Sequence, residues 1–218
     1  MNAPLSYTSL QPMHEQPDAA QYLQAMRPHQ SDALSAAASA LEQHDRIQLM
    51  MACGTGKTRL GPGLSLVCNK RTVIVYVPSL LLIRQTIPQW KSAPFVNGLR
   101  IMCVCSDHSC ETDTDEMTFG PEDMLAELAD SRITATTCPQ EARAFLAGNG
   151  PETRVVFCTY QSSDVVSQAC PTGFAFDLGI YDEAHRTTGC ESAYLSPRPP
   201  ACGRRKYSRH LCATAADR

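Results

Sequence analysis

The sequence predicts an α/β domain built on a parallel sheet with helices on both faces. Three observations carry that expectation. Short runs rich in Val, Ile and Leu, with little polar alternation, recur at residues 47–51, 72–77, 99–105, 154–159 and 177–181, as expected for strands covered on both sides. Helical stretches at 31–43, 80–90, 122–129 and 140–147 fall before or between them, the alternation that βαβ units produce. The first apolar run ends in a glycine-rich loop, Met51-Ala52-Cys53-Gly54-Thr55-Gly56-Lys57-Thr58.

The composition supports a packed core, with 43% hydrophobic and 19% charged residues over 218 positions. The net charge of −3 excludes a chain that binds nucleic acid through its overall field. Such a surface would have to be a local patch. Eleven cysteines, odd in number and never spaced C-x-x-C, predict free thiols in a reducing, cytoplasmic compartment. Cys68, Cys158 and Cys170 are expected as core residues. The N-terminus shows no signal-like segment and no apolar run approaches a membrane span.

The chain divides into an N-terminal arm, residues 1–20, which is polar and proline-punctuated; a main domain over 21–190; and a basic tail over 191–218. Within the main domain, 106–150 reads as an acidic surface insertion, with nine acids before its first basic residue, Arg132. The tail carries Arg198, Arg204, Arg205, Lys206, Arg209 and Arg218 and shows no strand or helix pattern until 210–214.

The loop meets the pattern G-x-x-x-x-G-K-[ST] except at its first position, where Met51 stands in place of Gly. Gly54 and Gly56 allow backbone N–H groups to close around phosphate oxygens. Thr55 lies between them. Lys57 is expected at the β- and γ-phosphates of a nucleoside triphosphate, and the Thr58 hydroxyl on Mg²⁺. A helix beginning there points its positive end at the anion. Gly61-Pro62-Gly63 follows inside that helix. A mid-helix proline costs ~3 kcal/mol and each glycine ~1, so a kink or early break is expected.

The run 177–181 delivers Asp182-Glu183-Ala184-His185 to a strand end, the edge at which open α/β sheets bind ligands. Asp182 is expected to hold Mg²⁺. Glu183 would orient and deprotonate the attacking water, and His185 would sense the γ-phosphate side.

Met-Ala-Cys-Gly-Thr-Gly-Lys-Thr followed by Asp-Glu-Ala-His resembles the superfamily 2 helicases and translocases, the DEAD/DEAH-box ATPases. Within these it is similar to the group related to restriction-enzyme motor subunits. Further elements follow in the family's order. Met26-Arg27-Pro28-His29-Gln30 resembles the R-P-x-Q element, which implies that Gln30 reads adenine. Val75-Tyr76-Val77-Pro78-Ser79-Leu80 resembles motif Ia, and Phe157-Cys158-Thr159-Tyr160-Gln161-Ser162 a later backbone-contacting element. The resemblance therefore implies nucleic-acid contacts at Pro78, Ser79, Thr159, Tyr160 and Gln161, to DNA in preference to RNA. It implies a RecA-like P-loop lobe using ATP and Mg²⁺.

The resemblance covers residues 22–189; beyond it, Cys212-Ala213-Thr214 is a degenerate match to motif III. The family's second motor lobe, with its arginine fingers, has no counterpart in this sequence. Since a missing arginine finger costs roughly 10³–10⁵ in rate, nucleotide binding with feeble hydrolysis is the expectation for the chain alone. A second lobe or subunit is the implied partner. Two alternatives stand beside the motor lobe: a non-motor P-loop ATPase, and a remnant of a truncated or frame-shifted helicase. Cys103, Cys105, His108 and Cys110 form a short run of ligand-type side chains. Some helicases of the family this sequence resembles carry an iron–sulfur cluster between the loop and motif II, which brings in Cys138. Against either metal, the period-2 spacing of Cys103 and Cys105 fits ordinary strand residues better.

Overall fold

The computed structural model describes residues 17–52, 54–105, 133–182 and 210–215. Seven strands form one sheet: β1 (Arg46–Met51), β2 (Thr72–Val77), β3 (Leu99–Val104), β4 (Thr134–Thr136), β5 (Thr153–Thr159), β6 (Leu178–Tyr181) and β7 (His210–Ala215). Their order is β1-β7-β6-β2-β5-β3-β4, and every pairing is parallel. The five runs read as strands from sequence all form strands, with ends shifted by one residue at most.

Strand alternation explains the continuous apolar runs. Val73, Val75 and Val77 of β2 pack into one core, while Ile74 and Tyr76 pack into a second. The same division splits β3 into Ile101 and Cys103 against Met102 and Val104. Helices therefore lie on both faces, as a parallel sheet requires. On the first face are α1 (Pro17–Gln24), α2 (Pro28–Gln43), α3 (Leu60–Val67) and α4 (Leu80–Lys91); on the second are α5 (Pro139–Ala147) and α6 (Ser163–Ala169). Each fully buried Leu or Ile on these faces, such as Leu64 or Ile74, stabilises by ~1.5–3 kcal/mol. β1 departs from the pattern because it is an edge strand. Its burial alternates, and Met50 is 68% exposed.

The expected break at Gly61-Pro62-Gly63 does not occur; α3 runs through it. The irregularity comes earlier, as a 3₁₀ turn over Lys57–Arg59. Pro62 consequently falls in the first α-helical turn, where a missing N–H is tolerated. The glycines serve packing. A Cβ on Gly61 would lie 3.2 Å from both Trp90 and Ile180, and one on Gly63 would lie 2.7 Å from Met26 Cε. All residues from Leu60 to Leu66 are buried, so α3 is enclosed on all sides.

Three elements were not expected from sequence. Pro17–Gln24 is helical and buries Ala19 and Tyr22, crossing the boundary read at residue 20 between arm and main domain. The strand β4, in the segment read as an acidic insertion, extends the sheet beyond β3. The helix α6 follows the turn after β5. The helix expected at 122–129 lies outside the described residues, as do the rest of residues 106–132 and the tail apart from β7. Among the described residues, no helix is long and apolar enough to cross a membrane.

Candidate functional site

The loop after β1, Pro78-Ser79 after β2, the turn after β5 and Asp182 after β6 all lie at the C-terminal edge of the parallel sheet. That edge is where α/β sheets bind ligands.

The phosphate-type loop is shaped by two left-handed glycines. Gly54 has φ 76° and Gly56 φ 81°, values that side-chain-bearing residues adopt only with strain. Between them, Thr55 closes the turn, its hydroxyl donating to the Ala52 carbonyl at 2.7 Å. Cys53 lies outside the described residues. Gly56 leads into the 3₁₀ turn that carries Lys57 and Thr58.

Helix α2 holds this loop through Gln30, which is 4% exposed. Its carboxamide N–H groups donate to the Thr55 carbonyl at 2.8 Å and the Gly56 carbonyl at 3.4 Å. Its Oε1 accepts from the Arg27 backbone N–H at 3.1 Å, closing the first turn of α2, where Pro28 presets the helix. A Cβ on Gly56 would collide with Gln30 Nε2, so only glycine allows the approach. The adenine-reading residue of the sequence expectation is thus, in this structure, a fastener of the loop. His29 Nε2 also lies 3.1 Å from the Thr55 carbonyl. Arg59 ties the far side of the turn to α1, donating to the carbonyls of Tyr22 and Ala25 at 3.3 Å. Its guanidinium lies over the Tyr22 ring. The roles of His29 and Arg59 in holding the loop had no signal in the sequence.

Lys57, Thr58 and Asp182 line one cleft together with Leu49, Val75, Trp90 and Ile180. A lysine, a threonine and an aspartate therefore border one space beside the loop. This donor set suits a phosphate chain and a hard divalent cation, which takes oxygen ligands. Thr58 and Asp182 are the residues that could hold such a cation. Glu183 and His185 lie outside the described residues.

Asp182 is fixed through its backbone. Its N–H donates to the Tyr76 carbonyl at 2.9 Å, and its own carbonyl accepts from the Tyr160 hydroxyl at 2.8 Å. The Tyr76 ring stacks between those of Tyr160 and Tyr181, with centroids 5.8 and 5.1 Å apart.

The residues expected to meet nucleic acid divide by exposure. Thr159 is completely buried, and its hydroxyl bonds to that of Ser162 at 3.1 Å, so its side chain serves the turn. Gln161 is exposed, and Pro78, Ser79 and Tyr160 are half-buried. Ser79 is the N-cap of α4 but makes no side-chain capping bond. In β7, Cys212 pairs with Gln48 on one side and Tyr181 on the other. The Cys212-Ala213-Thr214 element thus runs between the strand of the loop and the strand of Asp182.

Cys103 and Cys105 are buried in the first core, as core cysteines would be. Among the described residues, no group of three or more His, Cys, Asp or Glu could hold a metal ion; His108 and Cys110 lie outside them.

Comparison with known proteins agrees with this arrangement. A model of the family described as "Type III restriction enzyme, res subunit" matches residues 23–196. The chain is 30% identical over 169 residues to "Probable helicase A859L" of African swine fever virus (isolate Pig/Kenya/KEN-50/1950), covering 75% of this chain and 16% of that protein. Two solved structures share the fold at 28% identity over 86% of the chain. One is a nuclease-deletion mutant of the Type ISP restriction-modification enzyme LlaGI in complex with a DNA substrate mimic, at TM-score 0.65. The other is the ATP-dependent Type ISP restriction-modification enzyme LlaBIII bound to DNA, at TM-score 0.67. The chain spans 15% and 12% of the lengths of these two enzymes.

Proposed function

Since this chain belongs to the family of the type III restriction enzyme res subunit and carries its superfamily 2 helicase-like lobe, we propose that the lobe binds ATP with Mg²⁺ and, feebly when alone, hydrolyses it in response to DNA. The observation that carries the reading is that Lys57, Thr58 and Asp182 line one cleft beside the glycine loop.

Each residue has a defined part. The backbone of Gly54, Thr55 and Gly56 cradles the phosphates, and the Lys57 ammonium neutralises their charge. Gln30 holds the loop in its cradle form, and the adenine contact that the resemblance implies would replace its bonds to the Thr55 and Gly56 carbonyls. Thr58 and Asp182 hold the metal, which when bound supplies electrostatic stabilisation of the phosphoryl oxygens. Glu183 positions and deprotonates the attacking water, with His185 beside it.

DNA is the nucleic acid we assign, because both restriction enzymes of similar fold are DNA-bound. Pro78, Ser79, Tyr160 and Gln161, with the backbone of Thr159, would meet its phosphates. Such contacts position a strand without reading its sequence, so binding should weaken steeply with salt. A second motor lobe or subunit would face this half-site and supply the arginine that phosphoryl transfer needs.

Steady-state ATP hydrolysis with and without duplex DNA tests the proposal. DNA should stimulate turnover, Lys57→Ala should abolish it, and Glu183→Gln should stop turnover while leaving nucleotide binding intact. Turnover that ignores DNA would favour a non-motor ATPase. Turnover that survives both substitutions would remove the site altogether.

A further inference from the structure

Tyr160 belongs to the turn read as a nucleic-acid contact, yet its hydroxyl ends at the other candidate site. It donates to the carbonyl of Asp182 at 2.8 Å. The two residues follow strands β5 and β6, which are separated in the sheet by β2. Tyr160 spans that gap by lying on the ring of Tyr76, with planes 17° apart. Tyr76 in turn holds the Asp182 N–H through its own carbonyl.

The strand β6 ends at Tyr181. The Asp182 N–H is still held by β2, but its carbonyl reaches the Tyr160 hydroxyl instead of a strand partner. A peptide held at both N–H and C=O has little freedom, and releasing one end restores it. The Tyr160 hydroxyl is therefore a lever on Asp182. The root of that turn is firm, because Thr159 is buried and bonded to Ser162. Its tip, Gln161, is exposed.

We propose that Tyr160 is a positioning residue that couples occupation of the Thr159–Ser162 turn by a DNA backbone to the placement of Asp182, and so to Mg²⁺·ATP affinity. This rests on the function proposed above and adds the route by which one site senses the other. Coupling of this kind is reciprocal: DNA changes nucleotide affinity by the same factor as nucleotide changes DNA affinity.

The test uses the full chain and its Tyr160→Phe variant, which retains the ring and loses only the hydroxyl. The affinity for a fluorescent ATP analogue in Mg²⁺ is measured with and without saturating duplex DNA. In the unaltered chain, DNA should change that affinity by about fivefold or more, the lower end of ordinary allosteric coupling. In Tyr160→Phe the coupling factor, the ratio of nucleotide affinities with and without DNA, should fall towards one. Retained coupling in the variant overturns the proposal. So does an unaltered chain that binds both ligands without coupling, an outcome that leaves the nucleotide site standing. A chain that binds no Mg²⁺·ATP at all removes the proposed function instead.

Amide exchange in the unaltered chain gives a second readout that needs no variant. Adding DNA should change exchange in peptides covering residues 177–182 as well as those covering 159–169. A change confined to the second group overturns the proposal.

Discussion

The Gln30 carboxamide donates to the Thr55 carbonyl at 2.8 Å, so the first turn of α2 and the phosphate-type loop form one hydrogen-bonded unit. The loop's shape is therefore set by a residue 25 positions upstream as well as by its own glycines.

Replacing Gln30 by Glu keeps the size and removes the N–H donors, turning a carboxylate towards two carbonyl oxygens. Leaving such buried groups unsatisfied costs ~1–3 kcal/mol. The urea midpoint should fall accordingly, and ATP-analogue affinity should drop by about tenfold, or ~1.4 kcal/mol. Unchanged values in both measurements would show that Gln30 does not hold the loop.

Gly54 and Gly56 share left-handed backbone angles but differ in surroundings. A Cβ on Gly54 meets nothing within 4 Å, whereas one on Gly56 collides with Gln30 Nε2. Gly54→Ala should cost only the backbone strain, ~1–2 kcal/mol. Gly56→Ala should cost more and also displace Gln30, so nucleotide affinity should fall further. Thermal melts and nucleotide titrations of the pair check the order; equal effects would contradict it.

Pro62 and Gly61 should reverse the ranking that helix propensity gives. Pro62→Ala in the first turn of α3 should change stability by less than about 1 kcal/mol, because no helical N–H is recovered in full. Gly61→Val presses on the buried Trp90 ring and Ile180, and overpacking of this kind costs ~1–3 kcal/mol. Denaturant unfolding of both variants measures the difference.

Burial raises the pKa of the Cys103 thiol, with Cys105 adding to it, and burial raises that of Cys158 well above its usual value. Unfolded thiols ionise near ~8.5. Both groups therefore stabilise the fold fully below that pH and cease to do so as pH rises above it. Each raised thiol removes up to ~1.4 kcal/mol per pH unit in that range. Under reducing conditions the urea midpoint should fall between about pH 8.5 and 10, and less steeply in Cys103→Ala. A flat profile would show that these thiols ionise freely in the fold.

Much of the fold was legible because strands buried on both faces write unbroken apolar runs. β4 escaped because Thr134–Thr136 is too short to show a period. α3 was obscured by Gly61-Pro62-Gly63, whose role is contact with Trp90, Ile180 and Met26. The loop and Asp182 were readable because each follows an apolar strand. The links between them were not. The Tyr160–Asp182 bond joins residues 22 apart in sequence across an intervening strand, and no spacing rule reports such a pair. Thr159 illustrates the opposite limit: its motif suggests an exposed contact, while β5 carries its side chain inward.

On the proposed function, Lys57, Thr58 and Asp182 form one Mg²⁺·ATP site. Titration of the chain with a fluorescent ATP analogue, in Mg²⁺ and in EDTA, tests it most directly. The unaltered chain should bind more tightly with Mg²⁺. Lys57→Ala should lose about tenfold or more, equal to ~1.4 kcal/mol, and Asp182→Asn should bind alike with or without the metal. Wild-type affinity in Lys57→Ala, or an undiminished Mg²⁺ effect in Asp182→Asn, would contradict the account.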